Sequence, residues 1–262
     1  MTPKLRELLG AQELVRAFVV RDLRVRYRGS YFGFLLSIMV PVVQVAVLTI
    51  AFKLVVKFTD HPNYSAYLFC GILPYQFLQY VTLEGSTVIN KHRSILKKVY
   101  FPREVLPLSS TLGNLVHFGF TMLLFLGFLG SVGHLPRASY LWIPVVMLVQ
   151  TCLALGLAFM FSVLNTLLHD IEFLLGHVFM LGFYVSPILY DSRRVMDHAP
   201  GVYPAFMTNP MATLIEVYRS VILGEALPPL WALCLCGGVC VAALVVGYSV
   251  FRRLEWRLPE LI

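Results

Sequence analysis

The sequence predicts an all-α, polytopic membrane protein built as a single domain, and three observations predict it. Apolar residues make up 58% of the 262 residues and charged residues 13%, where a soluble domain carries about 45–50% and 25%. Mean hydropathy is +0.75. The apolar residues fall in runs long enough to cross a bilayer, which takes about 20 residues in a helix. A soluble enzyme, a disordered chain and a disulfide scaffold are excluded on these grounds. The five cysteines, Cys70, Cys152, Cys234, Cys236 and Cys240, all sit in apolar runs. They read as buried free thiols, and the 234–240 group has no His or carboxylate beside it for zinc.

Residues 1–32 read as an amphipathic helix lying in the membrane interface. Leu5, Leu8, Leu9, Val15, Phe18 and Val19 recur at helical spacing, and Arg21, Arg24 and Arg28 share another face. With Arg26 and Tyr27 they form a candidate contact for lipid headgroups, and a simple anchor is the competing reading. No continuous apolar core or cleavage site marks this segment as a signal peptide. Six spans follow, at 33–56, 64–89, 105–133, 138–168, 173–190 and 226–251. Fifteen Lys and Arg then lie on the side of the termini and six on the other. The excess of positive charge places both termini in the cytoplasm. The net charge of +7 is thereby explained without a nucleic-acid partner.

Three segments depart from a plain bundle. Residues 90–104 are rich in Lys yet carry Ile95, Leu96, Val99 and Tyr100 near i, i+3, i+4 spacing, closed by Pro102 and Pro107. This predicts a short cytoplasmic helix suited to a partner's groove; an interface-lying loop is the alternative. Residues 191–225 are broken by prolines. Within them Asn209-Pro210 opens a helix and Gly224 stops it, giving about 21 Å, too short to span. Met211, Leu214, Ile215, Tyr218 and Ile222 form its apolar face, with Glu216 and Arg219 on another. It predicts an interfacial or re-entrant helix in the outer leaflet, either a gate or a structural cap. The third departure is aromatic: Tyr31, Phe34, Tyr75, Phe77, Tyr80, Tyr184, Tyr190 and Tyr218 are candidates to line a channel or gate, against membrane-interface belts.

Catalytic patterns are missing. There is no Gly-Lys of a phosphate-binding loop, no His-Glu of a zinc protease helix and no G-x-S-x-G. No catalytic or metal-ligating residue is assigned. Ionisable groups within spans, the usual functional suspects, reduce to Glu84, His117 and His177, with Asp170 and Glu172 at a junction. Glu84 is expected to pair with a base of 91–104, and Asp170 to cap the fifth span.

Four stretches, in order, resemble the permease subunit of ABC exporters for O-antigen, teichoic acid or capsule chains. They are Arg21-Asp22-Leu23-Arg24-Val25-Arg26-Tyr27-Arg28-Gly29-Ser30, with Gly33 and Pro41; Ile95-Leu96-Lys97-Lys98-Val99-Tyr100-Phe101-Pro102-Arg103-Glu104, with Leu106-Pro107; Ser186-Pro187 with Asn209-Pro210 and Arg219; and Phe251-Arg252-Arg253-Leu254-Glu255. Asp170 matches the acidic position after span four, and the Arg that precedes it in the family is His169 here.

The resemblance implies a homodimer with two ATP-binding subunits in the bacterial inner membrane, moving lipid-linked polysaccharide. ATP and Mg would sit on the partner, so no cofactor is expected in this chain. The second stretch would be the ATPase-coupling segment, and Arg24 and Arg28 would lie near the pyrophosphate. The alternative is a multipass membrane enzyme acting on lipid-linked glycans, for which Asp191, Asp197 and His198 are the only candidate cluster. A channel or porter would need a mid-membrane charge path that the sequence lacks.

Overall fold

The computed structural model describes residues 10–27, 31–55, 63–98, 101–131, 133–134, 137–168 and 170–257. Arg28, Tyr100 and His169 lie outside the described residues, and for Tyr27, Tyr31 and Phe34 only the helical backbone is described.

Among the described residues the regular structure is helical. In order it comprises α1 (Gln12–Tyr27), α2 (Tyr31–Thr49), α3 (Tyr64–Lys91), α4 (Arg93–Leu96), α5 (Val105–Ser131), α6 (Ile143–Leu167), α7 (Ile171–Val185), α8 (Ser192–His198), α9 (Tyr203–Met207), α10 (Pro210–Leu223) and α11 (Leu230–Leu254). A wider π-helical turn, Ile50–Val55, extends α2, and a 3-10 turn, Ala138–Trp142, leads into α6. Among the described residues three helical stretches are long and apolar enough to cross a membrane: Val105–Ser131, Ala138–Leu167 and Leu230–Arg257. Met39–Lys53 and Ile171–Val185 are shorter apolar helices.

Two predicted boundaries move, and proline moves both. The fifth span was expected to run to residue 190, but α7 stops at Val185. Pro187 forces the residue before it out of the helical region, and Ser186 is extended at φ −81°, ψ 147°. The sixth was expected from residue 226, but Pro228 and Pro229 delay α11 to Leu230.

α3 is the central helix. At 28 residues it is about 42 Å long, and it packs against α2, α5, α6, α7 and α10. It carries Glu84, Gln76 and several hydroxyls yet is buried over most of its surface. The tightest pair is α6 with α11. A Cβ on Gly247 would collide with the Gly156 carbonyl oxygen, and one on Gly156 with the backbone of Ala243. Small residues let two backbones approach this closely inside a membrane.

The larger apolar core runs between α3, α5, α6 and α10. A second core at the other end gathers Phe18 of α1, Val88 and Ile89 of α3, Phe101, Val105, Leu106, Phe159, Val163 and Phe251. Cys70, Cys236 and Cys240 are buried as expected, but Cys152 is half-buried and Cys234 is exposed on the outer face of α11. A thiol behaves as a small apolar group, so a lipid-facing position suits it equally.

Candidate functional site

Polar side chains gather at the two ends of α3. At its C-terminal end the basic helix α1 is tied to the bundle. Arg26 donates from Nη2 to Glu84 Oε1 at 2.5 Å and from Nη1 to Asn114 Oδ1 at 3.0 Å. Asn114 Nδ2 closes the ring on Glu84 Oε2 at 2.7 Å and also donates to the Ser110 carbonyl. Glu84 therefore pairs with α1, not with the 91–104 segment as expected. Arg26 was grouped with the headgroup cations; here its guanidinium is occupied within the protein.

One turn back, Arg21 pairs with Asp22 at 2.8 Å, contacts the His92 ring and lies over the Phe18 ring at 4.7 Å. Phe18 meets His92 edge-on at 5.6 Å. Burial holds the His92 imidazole below its ordinary value, opposed by its bond to the Val88 carbonyl. Arg24 remains exposed.

The predicted coupling segment is turned differently from its expected pose. α4 is a single turn, and Ile95 and Leu96 pack inward on the core shared by Phe18, Val88 and Phe101. Packing on that apolar surface takes these side chains out of water. The outward side carries Lys91, Ser94, Lys97 and Lys98. Phe101 and Glu104 are buried, at 8% and 2% exposure. Pro102 is half-buried, and Arg103 donates to the Glu255 carbonyl at 2.7 Å, joining this segment to the C-terminal turn.

The opposite end of α3 holds the segment 186–190. Pro187 ends α7 and strands nearby carbonyls, which must find donors when buried. Four side chains serve this segment. Tyr64 donates to the Leu189 carbonyl at 2.8 Å, Tyr67 to Tyr190 at 2.9 Å and Arg219 Nη2 to Ile188 at 3.0 Å, while Asn209 Nδ2 reaches Ser186 Oγ at 3.4 Å. Arg219 is fully buried. Its guanidinium lies 3.4 Å from the centroid of the Tyr67 ring and pairs with Glu216 at 3.3 Å. Burial raises the Glu216 carboxyl above its ordinary value, against the pull of Arg219.

The helix that carries them has the predicted ends. Asn209 Oδ1 accepts from the Met211 N–H at 3.0 Å, and Gly224 is left-handed at φ 79°. Its polar face is not left open: Glu216 and Arg219 are buried along with the apolar face. α3, α6 and α11 enclose it, and Tyr218 bonds Gln150 of α6 at 2.9 Å. Gln150 Nε2 in turn donates to the Pro74 carbonyl at 2.7 Å, at the proline inside α3.

The candidate channel aromatics divide. Tyr75, Phe77 and Tyr218 are buried: Tyr75 donates to the Phe179 carbonyl and Phe77 stacks on Phe118 at 4.8 Å. Tyr80 and Tyr184 are exposed, and Tyr190 is half-buried with its hydroxyl on the Tyr184 and Val185 carbonyls. Asp170 stands at the start of α7 without a capping bond; Asn165 Oδ1 accepts from the Glu172 N–H instead. Asp191 caps α8 through the Arg193 N–H, and His198 bonds the Arg194 carbonyl, so these two members of the cluster considered for an enzyme serve helix α8. Among the described residues no group of three His, Cys, Asp or Glu is placed to hold a metal.

Sequence reasoning missed Asn114, Gln150, Tyr64, Tyr67 and His92. The available signal was an amide inside an apolar run, which is costly without a partner.

The family model described as "ABC-2 type transporter" matches residues 13–223. Three curated proteins named O-antigen export system permease protein RfbA are similar over almost the whole chain. Two from Klebsiella pneumoniae are 32% and 31% identical, each alignment covering 95% of both chains. One from Myxococcus xanthus is 29% identical over 98% of both.

Proposed function

Because the chain belongs to the ABC-2 type transporter family, we propose that it is the membrane permease of an ATP-driven exporter that moves lipid-linked polysaccharide from the cytoplasmic leaflet across the inner membrane. The observation that carries this is the end-to-end similarity to O-antigen export permeases. In this reading the chain works as a homodimer with two ATP-binding subunits, which hold the ATP and Mg. It crosses the membrane six times with both termini in the cytoplasm. Substrate chemistry is transport, and bond cleavage belongs to the partner.

The geometry supports a division of labour. The 91–104 segment presents Lys91, Lys97 and Lys98 outward while Ile95, Leu96 and Phe101 anchor it to α1 and α3. A push from the motor is delivered to the core through these apolar side chains. The 186–225 region, fastened to α3 by Tyr64, Tyr67 and Arg219, is the outer gate. Arg24, exposed on α1, and Arg28 meet the substrate's pyrophosphate. α7 leaves Phe173, Val178, Leu181, Tyr184 and Val185 uncovered, an apolar face for the second copy.

The test pairs two variants in a cell that depends on this chain for surface glycan. Arg24→Ala with Arg28→Ala is expected to abolish surface glycan while the ATP-binding subunit still co-purifies. Lys97→Glu with Lys98→Glu is expected to lose the co-purifying subunit. Normal glycan export by both variants refutes the assignment.

A further inference from the structure

Between α2, α3 and α5 lies an apolar cleft of about 520 Å³, lined by Pro41, Val45, Ala46, Phe69, Leu73 and Phe125 among others. It lies in the same half of the bundle as Arg219, whose guanidinium sits beside Gly71, between the lining residues Phe69 and Leu73. Its floor is fixed: Val45, Leu73 and Phe125 are 2%, 3% and 4% exposed. Phe69 packs against Phe125 and Phe128 at 5.1 and 6.2 Å between ring centroids, forming one aromatic wall. The mouth is formed by Val42, Leu124 and Phe128, which also line the cleft and are exposed. The cleft is therefore continuous with the surface that the bundle turns to bilayer hydrocarbon.

Its far end is defined as well. Pro41, Leu73 and Thr121 close it and at the same time wall a small chamber of about 20 Å³, lined also by Gln76, Phe77, Asn114, His117 and Phe118. A hydrocarbon chain entering from the mouth stops there, because a chamber of about 20 Å³ has no room for more of it. Thr121 makes no demand on the contents, since its hydroxyl donates to the His117 carbonyl at 2.9 Å. Along α5 the lining runs from Thr121 to Phe128, about 10 Å of helix rise.

We propose that this cleft is a binding site for the hydrocarbon tail of a phospholipid from the leaflet on the α10 side, held as a fixed wedge between α2 and the α3–α5 pair. An apolar cavity of about 150 Å³ holds one benzene, so the cleft of about 520 Å³ has room for roughly 20 carbons by that scale. That matches one lipid tail rather than a protein helix. Three walls in contact with the chain give it more dispersion energy than a flat face does, which distinguishes a bound tail from the surrounding lipid.

The experiment uses the full chain with its ATP-binding subunit in native inner-membrane vesicles. A phosphatidylethanolamine carrying a photoactivatable diazirine at its tail end is the probe. After illumination, labelled peptides are mapped by mass spectrometry. The expected result is labelling of 41–46 and 121–128 about tenfold above the exposed faces at 145–148 and 241–246, the ratio that ~1.4 kcal/mol of preference gives. Ala46→Trp, which fills the cleft without removing any contact, is expected to bring the cleft down to the level of those faces. Ser65→Leu serves the same purpose from α3 should the first variant fold poorly. Equal labelling of cleft and faces in the native chain overturns the site. So does displacement by added polyprenyl phosphate but not by unlabelled phosphatidylethanolamine, which would give the cleft to the substrate's own tail. Protection of the cleft by cross-linked second copies overturns it in favour of a protein neighbour.

Discussion

The two ends of α3 each hold an arginine against a glutamate, and they differ in what surrounds the charge. Arg219 is fully buried, stacked on Tyr67 and bonded to a backbone carbonyl, with Glu216 only 8% exposed. Arg26 and Glu84 keep side-chain exposures of 25% and 39%. A buried pair is strongly destabilised when one partner is removed, by about 3–5 kcal/mol, because an uncompensated charge is left behind. A half-exposed pair is worth about 0–1 kcal/mol. The first arrangement is a lock that defines where residues 186–190 lie. The second is a joint that holds α1 at low energy and is released at low energy.

The largest effect is expected at Arg219. Arg219→Met leaves the buried Glu216 without its cation and the Ile188 carbonyl without its donor, and stability is expected to fall by about 3–5 kcal/mol, read as loss of folded protein in a thermal melt in nanodiscs. Arg219→Lys is expected to rescue little, because a single ammonium does not reproduce the planar stacking on Tyr67 together with two directed bonds. A Lys variant as stable as the native chain would break the idea of a lock.

Next is Tyr218→Phe, which leaves Gln150 Oε1 without its donor in a site where both residues are fully buried. An unsatisfied buried acceptor costs about 1–3 kcal/mol. The same melt checks it, and Tyr218→Phe combined with Gln150→Leu is expected to recover part of the loss. No recovery would mean that Gln150 acts mainly through the Pro74 carbonyl.

The joint is expected to show the opposite balance. Glu84→Gln and Arg26→Ala should each lower stability by about 1 kcal/mol or less, while α1 loses its fixed place and surface glycan export drops. A double-mutant cycle on the melt isolates the pair. A coupling energy above about 3 kcal/mol would make both ends of α3 locks, and the contrast would disappear.

How much of this was legible in the sequence follows from the range of the interactions. The helices were, because apolar runs, Pro187, Pro228 and the Asn209-Pro210 start act over a few residues. Proline had the information to shorten the fifth and sixth spans, and reading hydropathy alone overran it. The partners were not legible. Glu84 and Arg26 are 58 residues apart, Tyr64 and Leu189 are 125 apart, and nothing local states that they meet. The inward turn of Ile95 and Leu96 was hidden for the same reason: a basic amphipathic turn looks alike whether its apolar side meets a partner or its own core.

The smallest expected effect sharpens the joint through pH. His92 sits against Arg21 with Asp22 and Lys91 nearby, and burial holds its proton affinity below the ordinary value of 6.5. The unfolded chain therefore takes up a proton at higher pH than the native one. Stability from this group is fully present above the unfolded value and is lost as pH falls below it. Protonation would also place a second cation against Arg21. Between pH 7.5 and 5.5 the melting temperature is expected to fall. His92→Gln keeps a polar side chain at the site without the titration, and is expected to flatten the dependence. The drop should also be accompanied by faster trypsin cleavage at Arg24, since release of Arg21 frees α1. An unchanged pH slope in His92→Gln would move the titration elsewhere and leave Arg26 with Glu84 as the whole of the joint.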